Sequence, residues 1–461
     1  MTAVSSPPTE PPADASTTVS ARSEAPLTLD TAPPRTLGFR DQFALWANLG
    51  VSLMGFSGAA TVLGTAGSEL SFAASVTAVV AGTVIGTAML GVAALIGART
   101  GAPAMASLRG LFGTRLSYLP TVLNIAQCVG WGVYELTVIA MGAQAVVGTE
   151  NWRWLFVVLA GVLTTVLTIW PLGSIAVLRR YVAAAVGVSM VYFTVQLGRQ
   201  GFPDPGAGNW NGFLHATDAI IAVSISFVPL AADYTRHSRT GSGAFRGTFS
   251  GYTVAQVWCY VVGLIALLQS GGDVSKIFSS FTGVTAGWLF LLVLVLRETD
   301  QSFANVYSTA MSVHNLLPRV DRRLLTGGIG VLVTVLALQI KEFTDSYYNF
   351  LGLIGSVFVP LLAVLAVDYF FGAGRHGWNL DQDAPTRWLM LAPWLLGFAT
   401  YQFLAPTPIT DWWTRLWTDA QSAVHFTPQT WSSASLFGFL VPALATWLLT
   451  LLRKTEPVGQ A

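Results

Sequence analysis

The chain has 461 residues, of which 53% are hydrophobic and only 10% charged, against about 25% charged in an ordinary soluble protein. So few charges cannot clothe a water-soluble body of this length, which leaves one polytopic membrane domain as the economical reading. The net charge of +1, from 24 basic and 23 acidic side chains, offers no basic excess for phosphates and excludes nucleic acid as a partner.

Residues 1–36 are rich in Pro, Ser, Thr and Ala without an apolar period, and such a composition cannot offset chain entropy; a disordered cytoplasmic tail is expected there. It has no basic start followed by a 7 to 15 residue apolar run, so it is not read as a signal peptide. Apolar segments able to cross about 30 Å of hydrocarbon then recur. Twelve spans are predicted, at 42–65, 70–97, 117–147, 153–172, 181–198, 215–232, 249–270, 285–317, 324–340, 347–372, 387–405 and 432–452. With the N-terminus inside, 18 of the 24 Lys and Arg residues fall on the cytoplasmic side and five on the other, with Arg297 left within a span. That asymmetry obeys the positive-inside rule and puts both termini in the cytoplasm of a cell-membrane protein. Cys128 and Cys259 each sit in an apolar run, where small buried core residues are expected. The Trp-rich stretch around Asp411, Trp412, Trp413 and Trp417 suits an interfacial belt.

Two spans are irregular. Span 1 contains Gly50, Gly55, Gly58 and Gly64, with the stretch 55–58 expected to interrupt it; span 6 contains Phe227-Val228-Pro229. Interruptions at mid-membrane free backbone polar groups, which only protein or a polar cavity can satisfy, and paired interruptions in two halves point to a transport site. Spans 1–5 and 6–10 are nearly equal in length, and five spans per unit is odd, so the second unit must be inverted. The expected organisation is therefore 37–198, 199–373, two added helices within 374–455, and a cytoplasmic tail at 456–461. Gly82 and Gly86 form a GxxxG pair read as close helix packing. Ionisable residues inside spans require a cavity or a partner. Span 3 carries Trp131 and Glu135 on one helical face, and span 8 carries Arg297-Glu298-Thr299-Asp300-Gln301-Ser302-Phe303-Ala304-Asn305, where an Arg297 salt bridge to Glu298 or Asp300 that only fixes packing is the alternative to a functional role.

These residues, with Gly97 to Met105 leading to Arg109 and Gly113, and with Ala232-Asp233-Tyr234-Thr235-Arg236, resemble the nucleobase:cation symporter family that contains the purine-cytosine permeases, over roughly residues 36 to 455. The resemblance implies an all-α polytopic membrane protein with about twelve transmembrane helices in the leucine-transporter fold, with its five-plus-five inverted repeat. It implies that Trp131 stacks on a flat substrate ring and that Asn305 contacts substrate. Glu135 stands where some members have glutamine, and a carboxylate there favours a ring edge with adjacent donors. Phe227 is expected to close the aromatic sandwich, with Ser224 or Ser226 supplying a hydrogen bond. Thr299 and Asp300, with carbonyls near Gly50 and Leu53, match a sodium site; an acid in place of the second hydroxyl leaves sodium and proton coupling both open. Asp233 and Arg236 are read as a gate or packing salt bridge, and Arg99, Arg109 and Arg115 as loop anchors.

The function expected is cation-coupled import of a nucleobase such as cytosine or a purine by alternating access. Other nitrogen heterocycles (allantoin, hydantoin, hydroxymethylpyrimidine) are the alternative, followed by a non-transporting membrane scaffold. Without an HExxH or GxxxxGK[ST] motif, neither a membrane metalloprotease nor an ATP-driven pump is expected, and the chain is read as no enzyme. It is expected to need no cofactor beyond a monovalent coupling cation, and to work in the bilayer as a monomer.

Overall fold

The computed structural model describes residues 34–63, 70–149, 151–169, 173–340, 344–429 and 431–454; the expected tails, apart from residues 34–36, lie outside them. Among the described residues the secondary structure is helical, with two isolated bridges, Leu37 to Ser238 and Leu70 to Asn209. Span 1 is divided into α1 (Phe39–Gly50), α2 (Leu53–Gly58) and α3 (Ala60–Leu63). Span 2 is α4 (Phe72–Thr100), followed by the short α5 (Ala104–Phe112); spans 3 to 5 are α6 (Thr114–Val147), α7 (Arg153–Ile169) and α8 (Gly173–Arg199). Span 6 is split into α9 (Phe213–Ile225) and α10 (Val228–Thr235), and span 7 is α11 (Gly241–Gln269). After the short α12 (Ile277–Thr282) come α13 (Gly287–Leu316), α14 (Arg322–Gln339) and α15 (Thr344–Phe371) as spans 8 to 10. Span 11 is α16 (Leu391–Leu404), and span 12 is α18 (Ala434–Lys454), separated from it by α17 (Asp411–Ala423).

Among the described residues seven helical segments, one of them α9 together with α10, or eight with the bent α1–α3 segment, are long and apolar enough to cross a membrane unaided. The other spans are short, as α7 is, or interrupted by charge, as α13 is at Arg297 and Glu298. Apolar side chains such as Val162, Val331 and Leu448 remain exposed on the rim, which a bilayer accepts as solvent. The Trp-rich stretch is itself a helix, α17, with Trp412 outward and Trp413 against Phe398 of α16.

The break in span 1 lies at Val51 and Ser52, not at Gly55 to Gly58 as the glycines suggested. Val51 (φ −91°, ψ 118°) and Ser52 (φ −149°, ψ 144°) are extended, and the axis bends by 55°. Gly55 and Gly58 instead continue as α2, and their missing side chains let Cys259 and Tyr260 of α11 approach: a Cβ at Gly55 would stand 2.8 Å from Cys259 Sγ. Both cysteines are free and buried. The interruption of span 6 is milder, since Ser226 and Phe227 stay in the right-handed region while Pro229 enters the first turn of α10, where its missing N–H costs nothing.

Small residues bring the central helices into backbone contact. A Cβ on Gly82 would meet Thr217 O at 2.7 Å, and one on Gly86 would meet Ser224 Cβ at 2.7 Å, so the GxxxG pair does seat α4 against α9. Gly247 and Gly251 of α11 do the same against α1. The two broken segments are thereby held side by side at mid-membrane.

Candidate substrate site

The break in span 1 exposes a helix C-terminus at Gly50 and a helix N-terminus at Leu53, with opposite partial charges. Protein groups meet both. Ser52 caps α2 by accepting from Met54 N at 3.0 Å, while its hydroxyl donates to Glu298 Oε1. Leu53 N donates to Glu298 Oε2 at 3.0 Å, and Ser52 O accepts from Cys259 Sγ at 3.1 Å. Arg297, beside Glu298, donates to Asn48 Oδ1 of α1 at 3.2 Å, to Glu298 Oε2 at 3.4 Å and to Gln301 Oε1 at 3.3 Å. Both members of this ion pair are 1% exposed.

Next to this junction lies a narrow cavity of about 30 Å³, space for about two waters. Leu49, Gly50, Ser52, Met54 and Gly55 form one wall; Trp131 and Glu135 of α6 face Val223, Phe227, Tyr252, Gln256 and Tyr260, and Gln301 and Tyr347 complete the lining. Two aromatic groups flank it. Trp131 packs edge-on against Tyr347 (5.8 Å between centroids) and Phe350 (5.4 Å), and Phe227 packs against Tyr252 (5.2 Å) and Trp46 (6.1 Å). The lining residues carry buried polar atoms without a protein partner, among them Trp131 Nε1, Glu135 Oε2 and Gln256 Nε2. Such atoms are costly unless something hydrogen-bonds them. Larger hollows of about 510 and 290 Å³ lie by α16–α18 and by Asp218 and Tyr348, away from both helix breaks.

The structure thus brings Trp131, Glu135, Phe227 and Gly50 to one cavity, with the Asn305 amide facing Glu135. It sets Ser224 and Ser226 elsewhere. Ser224 donates to Gln256 Oε1 at 3.0 Å, and Ser226 closes a local bond to Val223 O at 2.6 Å; both face packed helix rather than the cavity. The Ser224 bond occupies the Gln256 carbonyl oxygen and leaves the Gln256 amino group among the unpartnered atoms of the cavity-lining residues. Thr299 Oγ1 likewise donates to Leu296 O within its own helix at 2.7 Å, Leu53 meets the junction through its N–H, and the Asp300 side chain lies outside the described residues. Asp233 accepts from Ala104 N at 2.9 Å through Oδ1, capping α5; among the described residues no direct ion pair joins it to Arg236, and its Oδ2 has no hydrogen-bond partner. Arg109 does anchor, bonding Asn315 Oδ1 at 2.8 Å and Leu380 O at 3.4 Å.

Sequence reasoning missed Gln256, Tyr252 and Tyr260. The signal was present: they recur at four-residue intervals in an otherwise apolar helix, one face aimed at the cavity. Gln301 was also missed, although it lies one turn from Arg297 on the same polar face.

Residues 31–382 match the family described as permeases for cytosine/purines, uracil, thiamine and allantoin. The chain belongs to this family. It is therefore a multi-pass membrane secondary transporter and not an enzyme. The putative purine-cytosine permease YxlA of Bacillus subtilis is 24% identical over 327 residues, 66% of this chain and 69% of its own. Among solved structures, the inward-facing conformation of Mhp1 superposes with a TM-score of 0.72 at 18% identity over 95% of each chain. Mhp1, a nucleobase-cation-symport-1 family transporter, in a closed conformation with bromovinylhydantoin bound gives 0.70 at 17% identity, over 94% of this chain and 96% of that one. MhsT in complex with L-phenylalanine gives 0.54 at 15% identity, over 93% and 99%. These likenesses show the leucine-transporter fold with its inverted five-helix repeats.

Proposed function

We propose that this protein imports a nucleobase, such as cytosine or a purine, down a cation gradient by alternating access, and that the cavity between Trp131 and Phe227 is where the ring binds. One observation carries this reading: unpartnered polar atoms of Glu135 and Gln256, with the Trp131 N–H, belong to residues lining a cavity flanked by two aromatic groups. A planar ring inserted there would stack on Trp131 and Phe227. It would present an N–H or amino group to Glu135 Oε2 and a carbonyl or ring nitrogen to Gln256 Nε2. Asn305 supports the Glu135 carboxyl from behind. The cavity's small volume requires the aromatic groups to part as the ring enters, with the units 37–198 and 199–373 moving against each other and both termini facing the cytoplasm.

A second reading, a hydantoin or allantoin ring, is favoured by the mixed donor and acceptor edge of such rings and by the bromovinylhydantoin bound to Mhp1. Binding measured by thermal shift over cytosine, uracil, adenine, guanine, hypoxanthine, allantoin and hydantoin separates the two. Uptake of the ligand that binds is then followed in proteoliposomes with and without an imposed cation gradient. Nucleobase binding together with gradient-driven accumulation is the expected result. A protein that stabilises with none of the rings loses the substrate reading, and one that binds without accumulating loses the symport reading.

A further inference from the structure

One face of α6 carries more than the two residues that line the cavity. Asn124, Gln127, Trp131 and Glu135 follow one another at spacings of three, four and four, so they share one side of the helix, and the first two meet the interruption of span 6. We infer that Gln127 is a positioning residue for substrate binding: it holds the backbone of span 6 at Ser226 and so places Phe227 where the ring is gripped. The inference rests on the reading above of the cavity between Trp131 and Phe227 as the ring site.

The interruption frees carbonyls. In an unbroken helix Leu230 N would donate to Ser226 O, but here it donates to Phe227 O at 3.2 Å, and Pro229 has no N–H to offer to Ile225 O. A carbonyl released at this depth needs a protein partner. Gln127 provides it, its Nε2 donating to Ser226 O at 2.8 Å and to Asn124 Oδ1 at 2.9 Å. Asn124 Nδ2 in turn donates to Ser312 Oγ of α13 at 2.8 Å and to Pro229 O at 3.4 Å. Both hydrogens of each amide are thus spent on acceptors, which fixes the direction of both side chains; Gln127 Oε1 has no partner, so the donors alone hold it. Asn124, Gln127, Ser226 and Ser312 are all buried, and bulk water cannot stand in for a lost amide. Gln127 is not itself a lining residue, so it acts on the ring through Phe227, whose side chain packs against Tyr252 and Trp46 while the carbonyl before it is held by α6. One helix therefore carries Trp131 and, one turn away, sets the place of Phe227. The spacing of the two aromatic groups then depends on hydrogen bonds that run from the first five-helix unit to the second.

The test is a double-mutant cycle on dissociation constants for cytosine, hypoxanthine and hydantoin, combining Q127M, which keeps the length of the side chain and removes both donors, with F227A and with E135Q. Q127M alone should weaken binding of every ring that the wild type binds by about tenfold, unlike E135Q, whose loss depends on the edge of the ring. In the F227A background Q127M should cost less than about twofold, because the group it positions is gone, while in the E135Q background the loss of about tenfold should remain. A loss of the same size in both backgrounds, or none in a folded Q127M, overturns the inference, since a residue that only stabilises the fold would act alike in each. If Q127M does not fold, Q127N, which keeps a buried amide but stops one methylene short of Ser226 O, takes its place in the cycle with the same outcomes. A wild type that binds none of the rings removes the ring-site reading and the inference with it; a wild type that binds, with an additive cycle, removes the inference alone.

Discussion

At the scale of single residues, a side chain's chemistry was legible but its direction was not. Trp131 and Glu135 stood out because an indole and a carboxylate four residues apart in an apolar helix must share a face, and that face does line the cavity. Stacking a base on an aromatic ring contributes about 1 to 3 kcal/mol, so Trp131→Ala is expected to weaken ligand binding about tenfold to a hundredfold, with Trp131→Phe retaining part. An unchanged dissociation constant in a folded Trp131→Ala protein would remove α6 from the site. Glu135→Gln replaces two acceptors by one acceptor and one donor; the loss should be larger for amino-bearing bases than for uracil in the same titration series. Equal losses across the panel would make Glu135 a proton carrier or a structural group. Ser224 and Ser226 show where the reading stopped, because one residue turns a helical side chain by about 100°. Span 6 is interrupted at Ser226 and Phe227 themselves, and nothing in the sequence says how far that rotates the chain. The actual partner of Ser224 is on another helix, 32 positions away.

At the scale of elements, the spans were legible, most with boundaries a few residues off and with α8 and α11 beginning eight residues before the predicted start, since apolar length is dictated by the bilayer. The position of the break in span 1 was not. Glycine marks either a kink or a close approach, and Gly55 and Gly58 serve the second purpose against α11. The break instead follows its capping groups, Ser52 and Glu298, which lie far apart in sequence. A second element-scale feature is the strap formed by residues 34 to 38. Leu37 N donates to His237 O at 3.0 Å, Arg239 N to Leu37 O at 2.8 Å, and His237 Nδ1–H to Pro34 O at 3.2 Å. Burial, aided by the charge of Arg236, pulls His237 down to about 4 from its usual 6.5. The unfolded strap therefore binds more protons than the docked one between those values, so docking is fully favourable above pH 6.5 and weakens as pH falls toward 4. Limited proteolysis after Arg35 should accelerate over that interval in the wild type and lose its pH dependence in His237→Asn. A rate flat with pH in the wild type would show that the histidine does not hold the strap.

At the scale of the whole molecule, the fold is the one expected from the length and spacing of the apolar runs, and the likeness to Mhp1 over nearly the full chain agrees with it. The Arg-rich end of the bundle holds its positive charges in place: Arg387 binds Asp368 through two hydrogen bonds of 2.7 and 2.8 Å, and Arg99 lies over the Phe370 ring. The positive-inside rule assigns that end to the cytoplasm. Single cysteines placed at Arg375 and at Lys276, in a background lacking Cys128 and Cys259, should differ in labelling by a membrane-impermeant maleimide on intact cells. Lys276 should label and Arg375 should not; the reverse pattern would invert the topology, and labelling at both would break the count of spans.

The cavity's walls come from residues spread from Leu49 to Tyr347, and this bears on how the protein is made. During synthesis, α6 enters the bilayer with Glu135 well before the ribosome has reached Gln256, Asn305 or Tyr347. A carboxyl group alone in hydrocarbon costs a few kcal/mol by insertion scales. Nascent chains halted after span 5 should therefore be retained beside the insertion machinery and cross-link to it through α6, and should leave for lipid only once span 8 has emerged. Replacing Glu135 with leucine should free the truncated chains early. A group that lines the candidate site would then also set the order in which the helices are released to assemble.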